Sequence, residues 1–299
     1  MKNLHGTVVP IITPFTEDDK IDERSLERLT EHVIQGDLQG LYPCGTTGEM
    51  LLLSVEERKS VSEIVVETAK NRIPVFVQAG ALTQKDTVEL AKHAVDIGAD
   101  GIGVITPVFF KMSDRDIIDY YVSISGSVPE DFPIYLYGIP QNASNDINMH
   151  VVQEVLARCK NVVGIKYSYP DMTLLQKFIA IKDFSVLVGP DHLFQAVVSV
   201  GGHGTVSGNA MIIREHYSAL WKSMTENKTD LATKIQQRTN VLNSLLCSVN
   251  NIAAYKIVLK NEGIIKNDSV RAPMKTLSAQ EKETLLTALE SLRYKEVLI

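Results

Sequence analysis

Through the first two-thirds of the chain, short apolar runs alternate with stretches in which apolar residues recur every three or four positions. The runs have strand length and fall at 7–13, 40–43, 73–78, 101–106, 132–137, 162–166, 184–189 and 204–207. The stretches between them predict helices near 23–35 and 55–70, then one ending at 98, one at 113–125, one ending at 158 and one ending at 181. Strands separated by helices must run parallel, each helix serving as the crossover. Eight such units over about 210 residues fit a closed barrel better than an open sheet. The turn after the first run, TPFTEDDK, carries Pro14 and acidic residues and makes a poor phosphate cradle, which also argues against an open dinucleotide-binding sheet. Beyond residue 225 the strand signals stop, and 228–249, 252–262 and 279–292 all read as helices. The predicted fold is therefore a (β/α)8 barrel over residues 1–225 with a C-terminal helical region over 226–299, and no low-complexity linker separates them.

Composition narrows the function. With 44% hydrophobic and 22% charged residues among 299, the chain reads as soluble and globular. A net charge of −6 points to neither a nucleic-acid nor an anionic-membrane partner. Three scattered cysteines, with no CxxC pair and no clustered histidines, argue against a disulfide framework and a metal site. Cys44, just before a glycine turn, reads as a packing residue rather than a reactive thiol. The N-terminus has no long apolar stretch with a cleavage site, and no run approaches the roughly 18 apolar residues of a membrane helix. The expected location is the cytoplasm.

Barrel chemistry gathers at the C-terminal ends of the strands, and three polar features fall there. Lys166 closes the apolar run Val162-Val163-Gly164-Ile165. It could snorkel its head to water, or it could be an amine nucleophile towards a carbonyl. A lysine of ordinary pKa is neutral only about one part in 10^3 at pH 7, an obstacle of roughly 4.6 kcal/mol that partial burial reduces. In Tyr135-Leu136-Tyr137-Gly138-Ile139-Pro140, alternation points both tyrosines to one face with Tyr137 nearer the mouth, and spacing alone leaves either a core residue or a proton carrier. The turn Gly45-Thr46-Thr47-Gly48-Glu49 offers exposed amides and two hydroxyls, a nest suited to a carboxylate.

In the chain order GTTGE, YGIP, GIK, these segments resemble the dihydrodipicolinate synthase / N-acetylneuraminate lyase family of class I aldolases. The resemblance runs nearly the whole length, from the TPF turn through ITP at 105–107 and GPD at 189–191 to GGHGTVSG at 201–208. It implies that Lys166 forms a Schiff base with the C2 carbonyl of pyruvate or another 2-oxo acid. It further implies that Tyr137 relays protons and that Thr46 and Thr47 hold the pyruvate carboxylate. Ser168, Gly189, Asp191 and Ser207 fall where lyases of the family contact the rest of a sugar acid. The implied assembly is a homotetramer built from dimers, and no metal or organic cofactor is implied, because the iminium does the polarising.

The departures bear on substrate. Dihydrodipicolinate synthases carry an arginine shortly after YxxP for the carboxylate of the semialdehyde, whereas residues 138–150 here contain no arginine or lysine. Those synthases also offer a tyrosine to a neighbour from the turn after the fourth strand, where this chain has Phe109 and Phe110. Gly138 replaces a common asparagine, and Tyr167 follows the lysine. Gln141, Asn142, Ser144 and Asn145 are candidates to contact hydroxyls, and His192 reads as structural. The expected activity is cleavage or formation of a 2-keto-3-deoxy sugar acid with pyruvate as one partner. The alternatives are a dihydrodipicolinate synthase anchored by another arginine, a dehydratase using the same iminium, and a catalytically silent binding or regulatory barrel.

Overall fold

The computed structural model describes residues 3–297. In chain order, β1 (Gly6–Val9) is followed by α1 (Glu23–Ile34), β2 (Gly40–Leu41) by α2 (Val55–Ala69), β3 (Phe76–Gln78) by α3 (Gln84–Asp96), and β4 (Gly101–Ile105) by α4 (Asp114–Ser125). Then β5 (Ile134–Gly138) leads through the one-turn α5 (Pro140–Ala143) to α6 (Met149–Arg158), and β6 (Val162–Tyr167) to α7 (Met172–Ile179). Finally β7 (Ser185–Val188) leads to α8 (Phe194–Ser199) and β8 (Gly204–Val206) to α9 (Arg214–Thr225). Three further helices follow, α10 (Thr229–Leu246), α11 (Asn251–Asn261) and α12 (Ala279–Ser291).

All strand pairs are parallel, in the order β2-β1-β8-β7-β6-β5-β4-β3. The remaining seam closes through a bridge between Leu41 and Val75, with the Leu41 amide donating to Pro74 at 2.9 Å. This is the expected (β/α)8 barrel with C-terminal helices. Helix starts are fixed locally: Asp22, Ser54, Thr83, Ser113, Asn148 and Asp171 each accept a main-chain amide of the first turn. The first strand ends at Val9 rather than Thr13, because Pro10 has no amide for the ladder. The six-residue α8 was not anticipated by periodicity.

Alternation sorts the strand residues. Leu4, Val8, Tyr42, Phe76, Tyr135, Val163, Leu187 and Val206 fill the barrel, while Leu41, Val77, Ile102, Leu136, Ile165 and Val186 face the helices. Tyr135 belongs to the floor: its hydroxyl accepts the Leu4 amide at 2.8 Å, its ring meets Phe76 edge-on, and burial pushes the phenol up to about 12. A register shift between Ile134 and Tyr135 pairs them with Val162 and Gly164, so that Tyr137 then lies opposite Lys166. Gly103 is required here, since a Cβ would sit 1.8 Å from the Tyr42 hydroxyl oxygen.

No single helix among the described residues is long and apolar enough to cross a membrane; α10 and α11 pass that test only together, across a 100° bend.

His216 on α9 is fully buried, and desolvation with the nearby Arg238 charge pushes it down to about 4. The unfolded chain therefore takes up a proton that the folded chain refuses. The stability contributed is complete above the ordinary histidine range and is lost as pH falls from about 6.5 towards 4, a term of order 3 kcal/mol. Urea midpoints across that window should fall more steeply for the wild type than for His216→Leu. Parallel curves would contradict this.

Candidate active site

Lys166 stands in β6 directly beside Tyr137 of β5, and both residues point into the mouth. The lysine is only 4% exposed, and its Nζ lies 3.9 Å from the Tyr137 ring centroid and 4.8 Å from that of Tyr42. Among the described residues no carboxylate pairs with it. The Tyr137 hydroxyl is 3.2 Å from the Thr46 hydroxyl, joining the β5 mouth to the turn after β2. This separates the two tyrosines that spacing could not: Tyr137 is at the mouth and Tyr135 at the floor.

The turn is a built cradle. Gly48 and Met50 donate their amides to Gly45 and Glu49 donates to Thr46, while Thr13 caps the Gly48 carbonyl at 2.8 Å. Among the described residues the Thr46 and Thr47 amides donate to no main-chain carbonyl. They are free to meet an anion. Cys44 is buried beside the Arg58 carbonyl and Ser62, and burial pushes its thiol up, which fits the packing role.

Glu49, at the end of the turn, anchors it to the C-terminal helices. Its Oε1 accepts Lys256 Nζ at 2.5 Å and its Oε2 accepts the Arg271 amide at 2.8 Å, with both charged side chains fully buried. Desolvation lowers Lys256 to about 8, against the pull of Glu49. Removing one partner strands a buried charge, so Lys256→Met should cost about 3–5 kcal/mol, with much of that recovered in Glu49→Gln/Lys256→Met. Guanidinium midpoints of the single and double variants check this.

A cavity of about 750 Å³ opens above Lys166. The predicted Lys166, Tyr137, Thr46, Thr47, Ser168, Gly189 and Asp191 all line it. Ser207 does not: it is buried behind the wall and donates to the Tyr217 hydroxyl at 2.8 Å. Asp191 receives Asn209 Nδ2 at 2.6 Å on Oδ2, while Oδ1 is buried with no hydrogen-bond partner. Burial pushes this carboxyl up, and the Ser207, Asn209 and Tyr217 side chains around it oppose that shift.

Gln141, Asn142 and His192 also line the cavity, but Ser144 and Asn145 do not. Asn145 donates to Pro107 and Phe110 and accepts the Met112 amide, so its amide pins the loop after β4. Gly138 and Tyr167, two separate departures in the sequence, fit each other: a Cβ at 138 would sit 2.7 Å from the Tyr167 ring. That ring's hydroxyl donates to both carboxylate oxygens of Asp146 at 3.1 Å and so ties the loop after β5 to the lysine strand.

Sequence reasoning missed the far wall. Asn240, Asn243 and Ser244 of α10 and Cys247 just past its end, with Asn251 and Tyr255 of α11, line it. Their spacing of three or four residues was the available signal, but a polar helical stripe resembles an ordinary solvent face. Among the described residues no group of His, Cys, Asp or Glu side chains is placed to hold a metal ion.

A family model described as the dihydrodipicolinate synthetase family matches residues 3–292. The 4-hydroxy-tetrahydrodipicolinate synthase of Methanosarcina barkeri is 31% identical over 290 residues, covering 96% of this chain and 98% of that protein. The Rhizobium meliloti enzyme of the same name is 30% identical over 286 residues, covering 95% and 97%. Among solved structures, a catalytic lysine mutant of Ruminococcus gnavus sialic acid aldolase superposes with a TM-score of 0.92 at 28% identity, covering 98% of both chains. The prophage protein YagE of E. coli K12, from the dihydrodipicolinic acid synthase family and in complex with pyruvate, gives 0.92 at 26% identity, covering 97% of this chain and 99% of that one.

Proposed function

From the premise that this chain belongs to the dihydrodipicolinate synthetase family and is a lyase of the class I aldolase type, we propose that it captures pyruvate as a Schiff base on Lys166 and cleaves or forms a 2-keto-3-deoxy sugar acid. The observation that carries this reading is the buried, unpaired amine of Lys166 set against Tyr137 in the mouth that Thr46 completes.

In the cleavage direction the neutral Lys166 amine adds to the C2 carbonyl, and loss of water leaves an iminium. Tyr137, left as a phenolate after giving its proton to the departing hydroxide, takes the proton from the C4 hydroxyl as the C3–C4 bond breaks. The bonding pair flows into the iminium to give an enamine, and the aldehyde departs. Protonation at C3 and hydrolysis then release pyruvate and regenerate the amine. The Thr46 hydroxyl orients the phenol, and the free Thr46 and Thr47 amides hold the substrate carboxylate. The sequence of steps needs no cofactor.

Relatives named 4-hydroxy-tetrahydrodipicolinate synthase favour a second reading, condensation of pyruvate with aspartate semialdehyde. Against it stands the cavity itself, where Lys166 is the only lysine or arginine among the lining residues, leaving no guanidinium for a second carboxylate. Pyruvate consumption should therefore be robust with polyhydroxylated aldehydes and weak with aspartate semialdehyde, and the reverse would install the synthase. A dehydratase would share the iminium but release water instead of an aldehyde. A silent barrel would not bind pyruvate covalently.

Phe109 and Phe110 stack edge-on in the open, 78% and 68% exposed, and Leu82 is 68% exposed. Those exposed apolar side chains support self-association, and the proposed assembly is a homotetramer made of dimers. Three free cysteines suit a reducing cytoplasm.

A further inference from the structure

The cavity extends well beyond what pyruvate fills, and its far side is built by elements outside the strand ends. Asn240, Asn243 and Ser244 of α10, Cys247 at its C-terminal cap and Asn251 at the start of α11 line this side. It is polar but carries no charge. Facing the same space is Asp191, whose Oδ1 is buried without a hydrogen-bond partner. Carboxamides and hydroxyls both donate and accept, which matches a chain of hydroxyl groups. An anion brought there would find no lysine or arginine beyond Lys166, only the imidazole of His192 after β7, and would meet the carboxylate of Asp191. Burying it uncompensated is costly.

We propose that α10 forms the subsite for the second partner and selects a neutral polyhydroxylated aldehyde chain over one ending in phosphate or carboxylate. The proposal rests on the aldolase reading above. Ser244 is the position best suited to test it. It is exposed, and its hydroxyl only bonds back to the Asn240 carbonyl of its own helix, so a longer side chain there displaces nothing in the core. Cys247 is a natural reporter, because it is exposed while Cys44 and Cys159 are buried.

The test uses the full chain with D-erythrose and D-erythrose 4-phosphate, which differ only in the terminal phosphate, each with pyruvate. For the wild type, kcat/KM with D-erythrose should exceed that with the phosphate ester by at least about tenfold, and Ser244→Lys should narrow or reverse that ratio. D-erythrose with pyruvate should slow methanethiosulfonate labelling of wild-type Cys247 at least about threefold relative to pyruvate alone, a readout that needs no variant. Equal or better turnover of the phosphate ester, no turnover of either aldehyde, a ratio unmoved by Ser244→Lys, or labelling indifferent to D-erythrose would each overturn the proposal. Failure of borohydride with pyruvate to modify Lys166 would instead overturn the aldolase reading on which it rests.

Discussion

Replacing Lys166 with alanine is expected to lower kcat by at least about 10^4-fold while leaving the fold intact. No neighbouring group can substitute for its amine. The other fully buried lysine, Lys256, is committed to Glu49 and to the Ser269 carbonyl. Lys166→Arg should fare no better, because a guanidinium keeps its charge and is no nucleophile at neutral pH. Lys166 contributes no ion pair among the described residues, so melting temperatures of both variants should stay within a few degrees of the wild type. A variant that loses activity and unfolds together would mean that the lysine is structural.

Tyr137→Phe is expected to lower kcat by about 10^2- to 10^3-fold, the range of a lost general acid or base, with a smaller change in KM. The ring that lies against Lys166 remains, and only the hydroxyl facing Thr46 disappears. The variant should still be labelled by pyruvate and borohydride, but more slowly. Tyr135→Phe is the internal control. Its hydroxyl serves the Leu4 amide at the opposite end of the barrel, so its loss should cost about 1–3 kcal/mol of stability and little kcat. If the two variants exchange phenotypes, the proton carrier has been assigned to the wrong tyrosine.

The contrast between those tyrosines marks how far sequence could reach. Strand alternation put Tyr135 and Tyr137 on one face with Tyr137 nearer the mouth, but that the Tyr135 hydroxyl is spent on packing required the Leu4 amide, a contact spanning 131 residues. The lysine, the cradle turn and the tyrosine pair were legible because each ended an apolar run, and in a barrel such ends converge. What stayed hidden was non-local. The wall from α10 depends on where a C-terminal helix returns across the mouth, and its asparagines carry no signature apart from that placement. Ser207 was expected in the cavity and instead stands one layer behind it, because its hydroxyl is held by Tyr217 from α9. Asn145 looked like a hydroxyl contact and is consumed by three main-chain bonds. Gly138 and Tyr167 read as separate departures and are one fit, since the ring occupies the space a Cβ would need.

The most direct test is mass spectrometry after incubating the protein with pyruvate and sodium borohydride. One reduced pyruvate per chain, mapped by peptide sequencing to Lys166, is the predicted outcome. An unmodified chain, or an adduct on any other lysine, would contradict the account.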